Sequence, residues 1–118
     1  MAAILSTHVL DIAHGHPARG MKLELWRLDA GERKLIATAT TNAEGRTEKP
    51  LLAVEKFRAG QYEIIFFVGD YFTACGTPLP KPVFLDQVPV RFNIANDAAS
   101  YHVPLLCSPW SYSTYRGS

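Results

Sequence analysis

The strongest constraint on the fold of this chain is the alternation of apolar and polar residues in short stretches separated by turns. In the clearest stretch, Val88, Val90, Phe92 and Ile94 occupy every second position. Side chains of a strand point alternately to its two faces, so this period is typical of a strand with one buried face. Further strand-like stretches between turn residues are 5–12, 21–25, 35–41, 62–68, 101–107 and 112–115. Seven or eight short strands of this kind predict an all-β sandwich.

One helix is predicted, and two prolines limit where their strands can lie. The helix is short and near 70–75, with Asp70 as its N-terminal cap and Gly76 just beyond its C-terminal end. Pro89 and Pro104 fall within strand-like stretches. Because proline has no N–H to donate to a sheet, each is expected at an edge or with its nitrogen facing away from a partner.

Length, charge and hydropathy limit the classes of protein to which the chain can belong. Its 118 residues are enough for a single domain, 1–118, with its own core. A net charge of +1 gives no indication of nucleic acid or an anionic membrane as a partner. No apolar run reaches the length of a membrane span, and 1–8 lack the regions of a signal peptide. We expect a cytoplasmic protein, with a removed targeting segment left open.

The sequence contains no standard motif for a metal, a phosphate or a serine nucleophile. His14 and His16 flank Gly15 in a turn, but no third ligand is near them in sequence, so we expect no metal site there. Cys75 and Cys107 lack a C-x-x-C spacing, and both are expected to be small buried side chains. No cofactor is predicted.

The C-terminal segment carries more reactive side chains than a chain end usually does. A strand over 101–107, a turn at Ser108-Pro109 and a second strand over 112–115 predict a hairpin. This hairpin would bring His102 within reach of the tail 115–118, which holds an aromatic ring, an arginine and a hydroxyl. The tail is therefore a candidate part of a functional site.

Two histidines and an arginine are the other candidates for chemistry. His8 and His102 lie on the less apolar faces of their strands, and Arg46 follows the turn 42–45. Either histidine alone would more often be a half-buried imidazole bound by a backbone group. Together, two histidines can share general acid and base roles near neutral pH, and an arginine can bind an anion or a developing oxyanion.

These segments resemble those of the transthyretin-related 5-hydroxyisourate hydrolases. The matching segments are 6–11, 15–18, 42–46, 101–106 and the terminal Tyr-Arg-Gly-Ser at 115–118. The resemblance spans essentially the whole chain. The related vertebrate hormone carrier shares the Ser-Pro-x-x-Tyr-Ser-Thr run at 108–114, but it lacks the two histidines and the Arg-Gly-Ser ending. Cys107 stands where the family usually has an aliphatic residue, which affects no catalytic position.

The resemblance implies a fold, an assembly and a reaction. The fold is a transthyretin-like (prealbumin-like) sandwich of two antiparallel sheets. The assembly is a homotetramer, a dimer of dimers with active sites in the clefts where dimers meet. The reaction is hydrolysis of 5-hydroxyisourate, the product of urate oxidation, to 2-oxo-4-hydroxy-4-carboxy-5-ureidoimidazoline. An activated cyclic amide can be opened by acid–base chemistry, so neither a cofactor nor a metal is expected.

The resemblance also assigns roles to individual residues. The implied catalytic residues are His8, Arg46, His102 and Ser118, and the implied substrate-binding residues are His8, Arg46, Tyr115, Arg116 and Gly117. In this scheme the two histidines activate water and return a proton to the leaving nitrogen. Arg46 binds the anionic ring, while Tyr115 and Ser118 orient substrate and water. Which histidine is the base stays open.

Two other classes of function are alternatives to the enzyme. One is a tetrameric carrier of a planar aromatic ligand without catalysis, for which the set of His8, Arg46 and His102 would have no purpose. The other is a structural or interaction sandwich whose polar face binds a partner. Turnover of 5-hydroxyisourate separates the enzyme from both of these alternatives.

Overall fold

The computed structural model describes residues 3–117, which form short strands, one α-helix and one 3-10 turn. The strands are β1 (Leu5–Ser6), β2 (Val9–Asp11), β3 (His16–Pro17), β4 (Lys22–Asp29), β5 (Glu32–Thr40), β6 (Gly60–Phe67), β7 (Gln87–Ile94), β8 (Tyr101–His102), β9 (Leu105–Cys107) and β10 (Tyr112–Thr114). The helix α1 spans Val68–Ala74, and the 3-10 turn spans Val54–Lys56. Neither helical segment of the described part is long and apolar enough to cross a membrane.

Two sheets form the sandwich. The first sheet has the order β5-β4-β6-β7 and is antiparallel throughout. The second has the order β10-β9-β2-β3, and the pair β1-β8 precedes β2 and β9 along the same two chain segments. The predicted sandwich is confirmed. One detail differs from the expectation of two antiparallel sheets. The pairs β1-β8 and β2-β9 are parallel, so the second sheet is mixed.

The parallel pairing continues across the gaps between these short strands. Backbone bonds run from Tyr101 to Ile4 (3.0 Å), from Val103 to Ser6 (2.9 Å) and from Leu105 to His8 (2.9 Å). Residues 4–8 therefore pair with residues 101–105, across the gap between β1 and β2 on one segment and the gap between β8 and β9 on the other. Pro104, which has no N–H to donate, lies between β8 and β9, and Pro89 lies on the edge strand β7. Both prolines satisfy the predicted restriction.

The core lies between the sheets and follows the predicted alternation. On β4, Leu23 and Leu25 are fully buried while Lys22 is exposed. β6 is buried on both faces from Tyr62 to Phe66, as its apolar run predicts. The other large, fully buried side chains are Leu5, Val9, Met21, Ile64, Val68, Phe72, Ile94 and Leu105. Burial of this apolar surface is the main stabilising contribution to the sandwich.

The helix begins earlier than the sequence predicts. Its N-terminal cap is Phe67, and Asp70 lies exposed in the first turn without a capping bond. Gly69 explains the shift, since its N–H donates to the Asp86 carbonyl at 2.9 Å and a side chain there would crowd Asp86. The predicted C-terminal end is confirmed, because Gly76 follows the cap with a positive φ of 78°.

The two cysteines differ in burial. Cys107 is fully buried on β9, as predicted, and burial together with the nearby Asp11 raises the pKa of its thiol to about 12. Cys75 is exposed, so the prediction of a buried side chain was wrong there. It caps the C-terminal end of α1 at the surface, where the short helix no longer faces the core. Both thiols are free.

Candidate active site

The parallel pairing places the two candidate histidines on one face of the second sheet. Ser6 and His102 are Cα partners, and His8 lies two residues after Ser6 on the same side. The Ser6 hydroxyl and the His102 Nδ1 are 2.8 Å apart. We call the outward face that carries Ser6, His8 and His102 the histidine face. Both imidazoles on it are half-buried.

A tight turn attaches Arg46 to this face. The side-chain oxygen of Asn42 accepts bonds from the Glu44 N–H (2.9 Å) and the Arg46 N–H (3.1 Å). Gly45 has a φ of +75° and accepts a bond from the Val9 N–H at 2.8 Å. A β-carbon on Gly45 would overlap the Val9 carbonyl oxygen, so only glycine lets the turn approach β2 this closely. The turn therefore places Arg46 next to Gly45, whose carbonyl is bonded to Val9, the residue after His8.

The Arg46 side chain is exposed, and among residues 3–117 no carboxylate forms an ion pair with it. Its charge still acts on the site. Burial is the largest cause that lowers the pKa of His102, and the positive charge of Arg46 and the neighbouring His8 lower it further. A bond to the Ser6 backbone acts in the opposite direction but is outweighed. His102 is therefore a neutral imidazole at neutral pH, able to accept a proton.

The C-terminal tail returns to His102, as the predicted hairpin requires. β10 pairs with β9, and the chain continues until the Gly117 N–H donates to the His102 carbonyl at 2.7 Å. A β-carbon on Gly117 would lie 2.6 Å from the His102 Cδ2. The glycine thus packs its backbone directly against the imidazole. Ser118, a predicted catalytic residue, lies outside the described residues.

The two residues before Gly117 face another direction. The guanidinium carbon of Arg116 lies 4.0 Å from the centre of the Tyr101 ring, and its Nη2 is 3.5 Å from the Ser100 carbonyl. The Tyr101 hydroxyl is fixed in turn by the backbone N–H groups that follow β7. Tyr115 is 60% exposed, and together with Arg116 it borders a surface cavity of about 220 Å³.

The lining of that cavity includes Phe92 and Val103 but neither candidate histidine nor Arg46. Within one chain, the structure therefore brings His8, Arg46, His102 and Gly117 together. It places Tyr115 and Arg116 along the neighbouring edge of the sandwich.

Sequence reasoning missed two residues that build this site. Ser6 bonds to the His102 ring, and Asn42 holds the turn that presents Arg46. Ser6 could have been found, because it shares the alternation of His8. Asn42 opens an Asn-x-x-Gly turn, in which asparagine commonly bonds to the backbone that follows it. The arrangement as a whole offers a proton acceptor, a second imidazole and an arginine that forms no ion pair within the described residues.

Comparisons with known proteins give a consistent result. A family model described as the HIUase/Transthyretin family matches residues 5–117. A 5-hydroxyisourate hydrolase of Pseudomonas aeruginosa is 56% identical over 114 residues, which cover 97% of this chain and 90% of that protein.

Solved structures are similar over nearly the whole chain. An (S)-allantoin synthase superposes with a TM-score of 0.93 at 47% identity and covers 99% of this chain, which spans only 44% of that protein. Sea bream transthyretin in complex with thyroxine superposes with a TM-score of 0.86 at 30% identity, covering 98% of this chain and 95% of that one.

Proposed function

This chain belongs to the HIUase/Transthyretin family, and from that membership and the geometry of the histidine face we propose that it hydrolyses 5-hydroxyisourate. The observation that carries the proposal is the contact of Gly117 with His102, beside His8 and Arg46. A carrier of hydrophobic ligands has no use for a neutral histidine, a second histidine and an arginine that has no ion pair within 3–117 around its C-terminal tail. A hydrolase of a cyclic amide can use all three, as a proton acceptor, a proton donor and a cation for the developing oxyanion.

In the proposed reaction His8 and His102 handle the protons. One imidazole removes a proton from water as its oxygen bonds to the ring carbonyl carbon. The C–N bond then breaks, the leaving nitrogen takes up that proton, and the carbonyl carbon becomes a carboxylic acid, which ionises to a carboxylate by releasing its proton to solvent. His102 suits the role of base because its lowered pKa keeps it neutral. A positive charge on His8 lowers the pKa of His102, so the pair favours one bound proton over two.

Arg46 stabilises negative charge. Its guanidinium is exposed and unopposed by a carboxylate within 3–117, so it is free to bind the anionic ring and the oxygen that gains charge during attack. The hydrogen bonds of Asn42 fix the backbone from which it extends, which limits the freedom that the side chain loses on binding.

The tail completes the site in this proposal. Gly117 packs on His102, and the residue that follows it in sequence, Ser118, is proposed to orient water or substrate. Tyr115 would orient the substrate from the edge of the cleft. For Arg116 the contacts support a positioning role rather than the direct substrate contact expected from the resemblance. Its stacking on Tyr101 holds the tail in place one residue before Gly117.

The site is proposed to be completed by other copies of the chain in a homotetramer, a dimer of dimers. β7 and β10 end their sheets, and every residue of β10 is exposed, which leaves edges open for pairing with a second copy. The histidine face continues into the half-buried Leu10 and Leu106, which are Cα partners, and into Ile12, which is 50% exposed. An apolar area beside the histidines supports a contact between dimers there.

A cytoplasmic location stays a prediction.

A ligand carrier is the second candidate, and the similarity to a thyroxine complex of transthyretin favours it. Two measurements separate the candidates. Purified protein mixed with freshly generated 5-hydroxyisourate should accelerate the decay of its ultraviolet absorbance in proportion to protein concentration. Calorimetric titration with thyroxine tests the carrier. Thyroxine binding without any acceleration of the decay would overturn the hydrolase and favour the carrier, while neither activity would favour the interaction sandwich.

A further inference from the structure

The loop between β2 and β3 brings together three potential metal ligands that lie outside the proposed active site. They are Asp11, His14 and His16, each of which offers one ligand atom within 4.8 Å of the others. Asp11 was not predicted as the third member, because it belongs to the strand-like stretch 5–12 that precedes the turn. The loop closes tightly: the Gly15 N–H donates to the Asp11 carbonyl at 2.9 Å, with a positive φ of 78° at Gly15.

Asp11 fixes the ring of His14. Its carboxylate accepts the backbone N–H groups of Ala13 and His14, at 3.0 and 2.9 Å, and the Tyr71 hydroxyl at 2.8 Å. The His14 Nδ1 lies 2.6 Å from the same carboxylate. Asp11 is 1% exposed, so these bonds satisfy a buried charge and hold the carboxylate still.

The hydrogen bonds also fix which ring nitrogen carries the proton. An ionised carboxylate only accepts, so the His14 Nδ1 must donate to Asp11. A backbone carbonyl also only accepts, so the His16 Nδ1 must donate to the Pro17 carbonyl, 2.9 Å away. In a neutral imidazole the other nitrogen is then bare. In their neutral forms both rings therefore present a bare Nε2, which is the form that binds metals.

The two rings lie close enough to share one ion. Their centroids are 5.7 Å apart and their planes differ by 13°. Two imidazole nitrogens bound to one zinc ion, each at about 2.0–2.1 Å, lie about 3 Å from one another. His16 is exposed, so its ring can turn until its Nε2 lies at this distance from the Nε2 of His14. His14 itself is held by Asp11 and by contact with Phe72.

We propose that His14 and His16 bind a divalent transition-metal ion of the nickel–copper–zinc group through their Nε2 atoms, with Asp11 as the carboxylate that orients His14. The preference for these metals follows from the two imidazole ligands, because imidazole nitrogen suits nickel, copper and zinc. A carboxylate bonded to the far nitrogen of a ligating histidine is the usual support of such sites. Water fills the remaining positions at this exposed surface. The ion links His14 in the turn to His16 at the start of β3 and stabilises the loop.

Zinc titration followed by ring-nitrogen NMR tests the proposal on the intact protein. In ¹⁵N-histidine-labelled protein without metal, His14 and His16 should both show the tautomer protonated on Nδ1. Zinc should then shift their Nε2 signals to saturation at one ion per chain. Shifts confined to His8 and His102, shifts that never saturate, or the opposite tautomer at either loop histidine would overturn the proposal.

Variants separate ligands from the supporting carboxylate. His14→Gln and His16→Gln should each abolish saturable zinc binding in calorimetry, while Asp11→Asn should weaken it by about 10–100-fold. Because Asp11 is buried, circular dichroism must show that this last variant is folded. His8→Asn is the matched control and should retain saturable binding. Unchanged zinc affinity in His16→Gln would refute the site even if Asp11→Asn fails to fold.

Discussion

Replacing Gly117 with alanine isolates the contact between the tail and His102. The new β-carbon would lie 2.6 Å from the His102 Cδ2, and it would also lie 3.2 Å from Cγ. Ordinary carbon contacts begin at about 3.4 Å, so the shortest distance must grow by about 0.8 Å (3.4 minus 2.6). Either the imidazole turns away or the tail lifts from the sheet.

Both responses should lower activity much more than stability. A displacement of about 1 Å at a catalytic group can cost about 10²-fold in rate. Lifting the tail would break the 2.7 Å bond from Gly117 to the His102 carbonyl, and one such bond contributes only about 1 kcal/mol net. We therefore expect kcat/KM for 5-hydroxyisourate to fall by about 10²-fold with nearly unchanged thermal unfolding.

Gly31→Ala is the matched control with the opposite expected signature. Gly31 turns the hairpin between β4 and β5 at a φ of +83°, and no atom of the described residues lies within 4 Å of a β-carbon there. Alanine there should cost about 1–2 kcal/mol of folding free energy through backbone strain alone and leave kcat/KM unchanged. The assay is the ultraviolet decay of freshly generated substrate, with thermal melts of both variants. Full activity in Gly117→Ala, with the assembly intact, would refute the role given to the tail.

Three further predictions concern the residues around this contact. Gly45→Ala should destabilise the fold by more than the about 1–2 kcal/mol of its positive φ, because its β-carbon also meets a backbone oxygen; an unchanged melting temperature would contradict this. Arg46→Gln removes a charge that disfavours the imidazolium, so the pKa of His102 should rise toward 6.5, and the acid limb of the kcat/KM profile should move to higher pH; a move to lower pH would count against the assignment. Arg116→Met should lower kcat more than it raises KM, and Arg116→Lys should restore part of the loss because a cation remains over Tyr101; equal kcat in all three proteins would remove the positioning role.

The lowered pKa of His102 also affects stability. The unfolded chain binds a proton near pH 6.5 while the folded chain binds it only at lower pH, so the unfolded state carries more protons in that interval. The free energy of unfolding should therefore fall as pH drops from 6.5 through the folded pKa. Above pH 6.5 this contribution is fully present.

Alternation and turn chemistry were sufficient to predict the sandwich and the approach of the tail to His102. Those features depend on local patterns, because a strand, a turn and a second strand of known length fix where the chain returns. The bond from Gly117 to the His102 carbonyl is the direct outcome. The position of Pro89 on an edge strand also follows from a local rule, the missing N–H.

Other features depend on contacts between distant segments and could not be read locally. The early start of α1 reflects the fit of Gly69 against Asp86, and the parallel pairing of β2 with β9 joins residues almost a hundred positions apart. Arg116 turns toward Tyr101 because the ring happens to lie beside the tail. Sequence spacing carries no signal for such packing.

The proposed role of His102 in hydrolysis is tested most sharply by comparing wild-type protein with His102→Asn in the 5-hydroxyisourate decay assay. Circular dichroism and light scattering should first show equal folding and equal mass, with a tetramer as the expected state. We expect wild-type protein to accelerate the decay and His102→Asn to lose about 10²–10⁴-fold of that activity, the usual effect of removing a general acid–base group. Wild-type activity in a folded His102→Asn protein of the same mass would show that His102 is not a catalytic acid or base.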